Sequence, residues 1–254
     1  MRLATFNIMH GRSLRDDRVD LDRFAAGVRS LDADVLALQE VDCCQTRSAG
    51  VDLAAFAAEA MSAAEYKFVA ALAGTPGGTW VGADGTEQAD SAAYGVALIS
   101  RHPVRSWQVI RLAPVPVTVP RFGFAPPRLE VFHDEPRVAV AATVDAPVGP
   151  ITIVNTHLTF IRWWNGRQLT TLRGRLSQVA PPIVLMGDLN MGRARAERLT
   201  RMSSLHTEPS FPGHQPRTQL DYILGSEALR RSVVDGRAHE LPLSDHRALS
   251  VDLR

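Results

Sequence analysis

The chain has 254 residues, a hydrophobic fraction of 45% and a net charge of +1, a composition typical of a globular protein with one large or two small domains. The small net charge excludes a global positive field that would draw the protein to nucleic acid. No apolar run approaches the roughly 20 residues that span a bilayer. The first residues predict a strand instead of a charged and then apolar leader, so we expect a cytoplasmic protein.

Strand-like and helix-like segments alternate along the chain. Apolar, β-prone stretches predict strands at 2–8, 34–38, 66–72, 93–99, 138–144, 151–155, 183–186, 222–224 and 248–251. Helical spacing or alanine-rich composition predicts helices at 20–32, 52–63, 166–179 and 193–203, and Asp20 is the expected N-cap of the first. Residues 75–91 predict a loop, 112–136 with six prolines a long irregular segment, and 147–150 a hairpin turn.

Polar motifs that carry chemistry extend from residue 7 to residue 246 without a linker, so we expect a single domain over residues 1–254. Strands outnumber helices, and hairpins mix with helical crossovers. This pattern predicts mixed sheets packed together with helices outside.

Cys43 and Cys44 are the only cysteines and are adjacent. Adjacent cysteines rarely reach disulfide geometry, and a zinc site would need a second pair. We expect two small packing residues at a strand end, which also suits a reducing compartment.

Six short polar motifs follow or interrupt apolar runs and together predict a reaction. They are Thr5-Phe6-Asn7-Ile8, Leu38-Gln39-Glu40-Val41, Asn155-Thr156-His157-Leu158, Gly187-Asp188-Leu189-Asn190, Leu220-Asp221-Tyr222-Ile223 and Ser244-Asp245-His246-Arg247. Each supplies a carboxylate, a carboxamide or an imidazole. Such groups bind a hard divalent cation and support the cleavage of a phosphate ester.

Glu40 lies just past a predicted buried strand, where its carboxylate fits a magnesium ligand. Asn7 ends the first strand and offers a carboxamide oxygen, either to the metal or to orient Glu40. Taken alone, an acid at a strand end is usually a surface residue, and such an asparagine is equally well a turn residue.

Asp188 and Asn190 share one face if the chain stays extended, so Asp188 can align the attacking water while Asn190 supports it or contacts a phosphate oxygen. The alternative is an Asx-turn that caps the helix near Arg193. His157 follows an apolar strand and can donate to a phosphoryl oxygen, although a lone histidine there is more often structural.

His246 needs a carboxylate that sets its tautomer and holds it protonated. Asp245 is its neighbour in sequence, but adjacent side chains of an extended segment face opposite ways. Asp221 is therefore the better partner if its strand lies beside the last one, which leaves Asp245 near a metal or its waters.

Almost all cations are arginines, and nine of them lie between residues 162 and 217 with few acids. They form either a phosphate-facing patch or a solvated helix face, and we expect the latter. Trp163 and Trp164 follow His157 closely. We expect them to pack, with stacking on a base or contact with a lipid surface as alternatives.

In this order the motifs resemble the endonuclease/exonuclease/phosphatase family, also called DNase I-like, over nearly the whole chain. The segments Tyr94-Gly95-Val96-Ala97-Leu98-Ile99-Ser100-Arg101 and Pro136-Arg137-Val138-Ala139 are also similar to family segments. The resemblance implies an α/β (α+β) four-layer sandwich, in which two mixed β-sheets pack face to face with helices on both outer faces. It also implies cleavage of phosphate esters with Mg²⁺ or Mn²⁺.

The resemblance gives each motif residue a role. Glu40 is implied as the main metal ligand, with Asn7 close by and Asp245 near a second or alternative metal position. Catalytic roles are implied for His157, Asp188, Asn190, Asp221 and His246, and Arg137 would brace the site or a phosphate. One family branch carries an acid two residues after the first asparagine, where this chain has Met9 followed by His10.

We therefore expect a metal-dependent phosphodiesterase that acts through an activated water and works as a monomer. Its substrate is a small nucleotide, a lipid head group, an inositol phosphate or a nucleic acid. The alternative within the class is a DNA or RNA endo- or exonuclease. An alternative from another class is a non-catalytic module that binds a phosphorylated ligand.

Overall fold

The computed structural model describes residues 1–88, 90–124, 127–147, 149–179 and 182–254, with only the backbone for 119–124 and 127–132. In chain order the strands are β1 (Arg2–Asn7), β2 (Val35–Cys43), β3 (Glu65–Gly74), β4 (Trp80–Gly82), β5 (Ala93–Ser100), β6 (Val104–Leu112), β7 (Val119–Phe124), β8 (Pro127–Phe132), β9 (Arg137–Ala146), β10 (Gly149–His157), β11 (Ile183–Asp188), β12 (Ser203–Ser204), β13 (Asp221–Gly225), β14 (Val233–His239) and β15 (Ala248–Leu253). The α-helices are α1 (Leu21–Leu31), α2 (Leu53–Met61), α3 (Arg162–Leu176), α4 (Arg193–Thr200) and α5 (Glu227–Ser232). None of the helices in these ranges has the length and apolarity needed to cross a membrane.

Two mixed sheets carry the fold. Their strand orders are β14-β15-β1-β2-β5-β3-β4 and β12-β13-β11-β10-β9-β6. The pair β1 and β2 runs parallel, as does the pair β10 and β11. Because parallel neighbours end at the same edge of a sheet, the motifs that follow these four strands are brought to one end of the molecule.

The sheets pack face to face between two layers of helices. Side chains such as Leu3, Val140 and Met186 fill the space between the sheets. The opposite face of the first sheet packs against α1 and α2, and that of the second against α3 and α4. The predicted four-layer sandwich of class α/β (α+β) is confirmed.

Most predicted elements are present with shifted boundaries. Asp20 caps α1 as predicted, accepting a hydrogen bond from the backbone N–H of Arg23 at 2.9 Å. The prediction missed β6, β14 and α5, and it missed β4 inside the 75–91 loop. It also missed β12, since the helix predicted over 193–203 ends at Thr200 and Ser203 begins a strand. The hairpin at 147–150 includes Val148, which lies outside the described residues, although β9 and β10 do pair antiparallel.

The prediction of an irregular segment over 112–136 is wrong in its centre. There β7 and β8 pair antiparallel, from Val119 opposite Phe132 to Phe124 opposite Pro127. Proline has no N–H to donate, but each strand of a two-stranded sheet has one unpaired edge. Pro120 and Pro127 therefore do not exclude strand pairing here.

The two cysteines lie where they were expected, at the end of β2. Cys43 is buried, and the two Sγ atoms are 3.6 Å apart, well beyond the roughly 2.05 Å of a disulfide bond. The expectation of packing residues without a disulfide is confirmed.

Asn155 of β10 ties the two sheets together inside the core. Its amide donates to the carbonyls of Leu38 at 2.8 Å and Ala97 at 2.7 Å, and its oxygen accepts from Gln39 at 2.7 Å. Asn155→Ala leaves these buried groups unpaired, so we expect unfolding to become easier by about 3 kcal/mol. Urea denaturation measures this, with Thr143→Ala as a control that should cost about 1 kcal/mol or less. Equal losses in both variants would contradict a special role for Asn155.

His239 makes the folded protein sensitive to acid. Burial lowers the pKa of its ring, the neighbouring Arg237 adds to this shift, and Nε2 contacts the Ser250 hydroxyl at 2.8 Å. Since the folded state binds this proton more weakly than the unfolded state, its stability should fall as pH drops below about 6.5. Urea midpoints at pH 5.5 and 7.5 should therefore differ less in His239→Gln than in the wild type, and an unchanged difference would contradict this.

Candidate active site

The candidate site lies where the core between the sheets changes from apolar to polar. Alternate residues of a strand share a face, so the inward positions continue to the strand ends. Asn7 thus extends the inward set of β1, His157 that of β10, and Asp188 that of β11. Asp221 takes the same position at the start of β13, directly opposite Asp188. All four are buried.

Glu40 reaches this cluster because β2 bulges at that residue. The strand does not end there as predicted but runs on to Cys43, and its register with β5 shifts between Gln39 and Val41. Glu40 has a left-handed φ of 55°, a conformation that is costly for a residue with a side chain and often found at functional sites. Its carboxylate accepts from Asn7 Nδ2 at 3.1 Å.

The motif Gly187-Asp188-Leu189-Asn190 turns sharply after β11. Gly187 is required because a Cβ atom there would lie 1.9 Å from the Thr156 carbonyl oxygen. Asp188 accepts from the backbone N–H of Asn190 at 2.9 Å through Oδ1 and from Asn7 Nδ2 at 3.2 Å through Oδ2. The predicted alternative of an Asx-turn is thus half correct, since the turn is present but α4 is preceded by Gly192, which provides no side-chain cap.

His246 pairs with Asp221 and not with Asp245. Nδ1 of His246 donates to Asp221 Oδ2 at 2.7 Å, whereas the closest contact with Asp245 runs from Nε2 to Oδ1 at 4.0 Å. Nε2 also lies 3.9 Å from Asp188 Oδ2. The imidazole therefore connects the buried Asp221 to the centre of the cluster.

His157 and Asn190 form the opposite wall. Nη1 of Arg137 lies 3.4 Å from Nδ1 of His157, and a guanidinium can only donate, so Nδ1 accepts and a neutral ring carries its proton on Nε2. That nitrogen is 3.3 Å from Asn190 Nδ2, whose orientation is fixed by donation to the Leu158 carbonyl at 2.9 Å. Two N–H donors thus converge at one place, as an anionic oxygen requires.

Burial and neighbouring charges shift the pKa values of several groups in the cluster. Burial and the nearby Asp221 raise the pKa of Asp188 to about 7, and burial raises that of Glu40, with Asp245 adding to the shift. Burial also acts on the two histidines. It lowers the pKa of His157 well below its usual value, but for His246 the Asp221 carboxylate outweighs it and raises the pKa to about 10. His157 is therefore neutral and His246 charged near neutral pH.

The donor set fits a divalent cation. Four carboxylates (Glu40, Asp188, Asp221 and Asp245) lie around the cations of His246 and Arg137, and one oxygen of Asp221 is buried without a hydrogen-bond partner in the described chain. Hard cations prefer such oxygen ligands and offset excess negative charge.

Two sets of side chains can take the cation. Asp188, Asp221 and His246 offer ligand atoms within 4.8 Å of one another, and the 2.7 Å hydrogen bond between His246 Nδ1 and Asp221 Oδ2 takes up one nitrogen and one oxygen of these side chains. The second set is Glu40 with the neighbouring Asn7, which lies outside this hydrogen bond.

The sequence prediction missed several residues around the cluster. Ser244 joins two motifs, because its hydroxyl donates to the Asn7 carbonyl at 2.6 Å and accepts from the His246 N–H at 3.0 Å. The Phe211 ring lies 5.0 Å from that of His246. Arg47 pairs with the buried Asp42 at 2.7 Å. Of these only Ser244 carried a signal, since it stands inside a quoted motif.

The two tryptophans differ from each other in exposure. Trp163 is 57% exposed and meets Trp164 edge to face at 5.5 Å, so the packing prediction is wrong for most of its side chain. Trp164 is partly buried and donates to the Ala113 carbonyl at 2.9 Å. Packing is confirmed for Trp164 alone.

The protein has two facing mixed sheets, and carboxylates, amides and imidazoles lie at one end of the core between them. This combination of fold and site defines its class. The profile of the Endonuclease/Exonuclease/phosphatase family matches residues 4–246, and the chain belongs to this family of phosphoester hydrolases. The resemblance drawn from the motifs is thereby confirmed. No curated protein matches the chain.

Solved structures share the fold at low sequence identity. An endonuclease/exonuclease/phosphatase from Beutenbergia cavernae DSM 12333 is 22% identical, with a TM-score of 0.72 over 100% of this chain and 71% of that one. Sphingomyelinase C from Streptomyces griseocarneus is 14% identical, with a TM-score of 0.64 over 100% and 99%. The 3'-5' exonuclease NExo from Neisseria meningitidis is 17% identical, with a TM-score of 0.58 over 100% and 99%. At these identities the likeness establishes the fold.

Proposed function

We propose that the protein is a phosphodiesterase that requires Mg²⁺ or Mn²⁺ and hydrolyses a phosphate ester by in-line attack of water. One observation carries the proposal: a buried set of contacts joins Glu40, Asn7 and Asp188, and His246 links Asp188 to Asp221. Burying polar groups is costly, so a core that serves only stability contains few of them. The shifted pKa values of Asp188, His157 and His246 are typical of catalytic sites.

Glu40 would hold the cation, with Asp245 close enough to contact its waters. Asn7 would contribute its Oδ1, which accepts from the Met9 N–H at 3.2 Å. The bound cation would neutralise the phosphate and the departing oxygen. Asn7 has a further task, because its Nδ2 donates to both Glu40 and Asp188. It therefore fixes the orientation of the metal ligand relative to that of the water-binding carboxylate.

Asp188 would position the attacking water. Its Oδ1 is held by the backbone N–H of Asn190, and its Oδ2 faces the rings of His157 and His246 at 3.6 and 3.9 Å. The His246 imidazolium, held by Asp221, would donate through Nε2 to the phosphoryl oxygens as their charge grows. His157 and Asn190 would bind another of these oxygens through their converging N–H groups, with Arg137 fixing the tautomer of His157.

The structural neighbours support phosphoester hydrolysis and differ in substrate. One is named a sphingomyelinase and another a 3'-5' exonuclease. The alternative of a DNA or RNA nuclease therefore stays within the same chemistry, whereas a non-catalytic module would bind phosphate esters without turnover.

A panel of substrates with Mg²⁺ or Mn²⁺ tests the proposal. It should contain abasic, single-stranded and double-stranded nucleic acids, cyclic nucleotides, sphingomyelin, inositol phosphates and the simple diester bis(p-nitrophenyl) phosphate. We expect metal-dependent turnover of at least one diester, at a rate above that of the matching monoester. Tight binding without any turnover would overturn the proposal in favour of a binding module.

A further inference from the structure

Positive charge is concentrated in one stretch of the chain. Residues 158–217 contain nine arginines and only three acids, a net charge of +6, while the rest of the chain carries −5. This asymmetry is hidden in the overall charge of +1. The stretch includes α3 and α4, which form the outer layer beside the second sheet.

The exposed arginines of these helices have no acidic partners. We call them the arginine face; its members are Arg162, Arg167, Arg193, Arg198 and, directly after α4, Arg201. None forms an ion pair with a carboxylate of the described residues, whereas Arg2, Arg23 and Arg101 on the other side each pair with an aspartate at 2.6–2.8 Å. α3 and α4 are neighbours, since Arg173 of α3 donates to the Leu199 carbonyl of α4 at 3.0 Å. Unpaired guanidinium groups on neighbouring helices repel one another, and a polyanion would relieve that repulsion.

The arginine face begins at the candidate active site. The Asn165 amide of α3 donates to the Asn190 carbonyl at 2.7 Å, and Asn190 contacts His157. The first residues of α3 and α4 therefore stand next to the wall that would bind the phosphate. Trp163 and Phe160, which are 57% and 46% exposed, lie at this end.

The pattern fits a nucleic-acid strand better than a membrane. A helix that lies on lipid exposes an apolar stripe beside its basic residues. In α3 the leucines Leu169, Leu172 and Leu176 are buried in the core, and Trp163 is the one large apolar side chain on its exposed side. A basic track with exposed aromatic side chains at one end, here Phe160 and Trp163, is typical of proteins that bind unpaired bases and their phosphates.

We propose that the arginine face and Trp163 bind single-stranded nucleic acid and lead one of its phosphodiesters into the candidate site. This names the substrate class of the phosphodiesterase proposed above and rests on that function. The arginines contact the phosphates along α3 and α4, and Trp163 stacks on a base next to the scissile bond.

Binding is measured without cleavage, by anisotropy of a fluorescein-labelled oligothymidine in EDTA over a series of NaCl concentrations. The wild type should bind with an affinity that falls steeply with salt, by roughly 0.7 logarithmic units per tenfold salt for each phosphate contact. Arg167→Glu/Arg198→Glu should weaken binding by about tenfold or more and flatten this slope. The control Arg18→Glu/Arg29→Glu has the same net charge and changes exposed, unpaired arginines outside the face, so it should bind like the wild type.

The role of Trp163 is tested with a separate pair of variants. Trp163→Ala should weaken oligothymidine binding by about fivefold or more through lost stacking, whereas Tyr66→Ala, which removes a 43% exposed aromatic far from the face, should not. A duplex of equal length should bind more weakly, and its binding should not respond to Trp163→Ala.

Three results would overturn the proposal. They are equal weakening by both charge-reversal pairs, duplex binding that matches single-strand binding, and binding to phosphatidylcholine–phosphatidylserine vesicles in place of the oligonucleotide. Glu40→Ala should retain oligonucleotide binding in EDTA. If the binding results hold but no diester is hydrolysed with metal, the proposed catalytic function fails and the binding surface stands.

Discussion

Asp221→Asn is expected to lower kcat/KM for a phosphodiester by about 10³-fold, the scale on which a catalytic group loses its orientation and its charge. Asp221 Oδ2 accepts from His246 Nδ1 at 2.7 Å, and the Asp221 carboxylate is what raises the pKa of His246 to about 10 against the effect of burial. An amide at this position has no charge, so it no longer holds the His246 ring in its charged form. If the amide oxygen accepts from Nδ1, the neutral ring has no proton on Nε2; if the amide N–H faces Nδ1, Nε2 keeps its proton but the positive charge of the ring is lost.

Steady-state kinetics with a saturating metal concentration measures this loss. Asp235→Asn is the matched control, since Asp235 is an exposed residue of β14 and should leave turnover unchanged. Circular dichroism must show that the Asp221→Asn variant is folded, because Asp221 is buried. Activity within about threefold of the wild type would contradict the role of the Asp221–His246 pair, since a transition-state contact is worth far more.

Glu40→Gln should cause the second large effect, a loss of at least about 100-fold in kcat/KM when metal is limiting. Glutamine keeps the shape of the side chain and removes the negative charge that binds the cation. The half-saturating Mn²⁺ concentration should rise, and part of the activity should return at high metal concentration. Glu59→Gln, on the exposed side of α2, is the control and should behave like the wild type.

The same variant separates a functional from a structural role for Glu40. Burial and the nearby Asp245 disfavour its charged form in the folded protein. Removing that charge should therefore leave the metal-free protein at least as stable as the wild type. A variant that loses both stability and activity would indicate a structural role.

The sequence predicts the ends of β1, β10 and β11 well, for a physical reason. Inward-facing residues recur every second position, so the pattern that places Val184 and Met186 in the core also places Asp188 at its end. The same alternation argued against Asp245 as the partner of His246, but the choice of Asp221 also required its strand to lie near the last one. β13 and β15 do contact each other, although they belong to different sheets. The alternation itself needs only local geometry.

Features that depend on distant contacts were not predictable in this way. The bulge at Glu40 arises from the pairing of β2 with β5, more than 50 residues away in sequence. The Asn7–Asp188 contact spans 181 residues and was not predicted; the family resemblance placed the two residues in one site without this contact. The arginines were seen in the sequence, but their lack of ion partners depends on where the acids of other segments lie.

Hydrolysis of bis(p-nitrophenyl) phosphate by the wild type, Glu40→Gln and Asp221→Asn, each with Mn²⁺ and with EDTA, is the most direct test of the metal-dependent site. We expect turnover by the wild type with Mn²⁺, none with EDTA, and a fall of about 100-fold or more in both variants. Turnover that persists in EDTA, or that survives in both variants, would contradict a metal-dependent phosphodiesterase built on these residues.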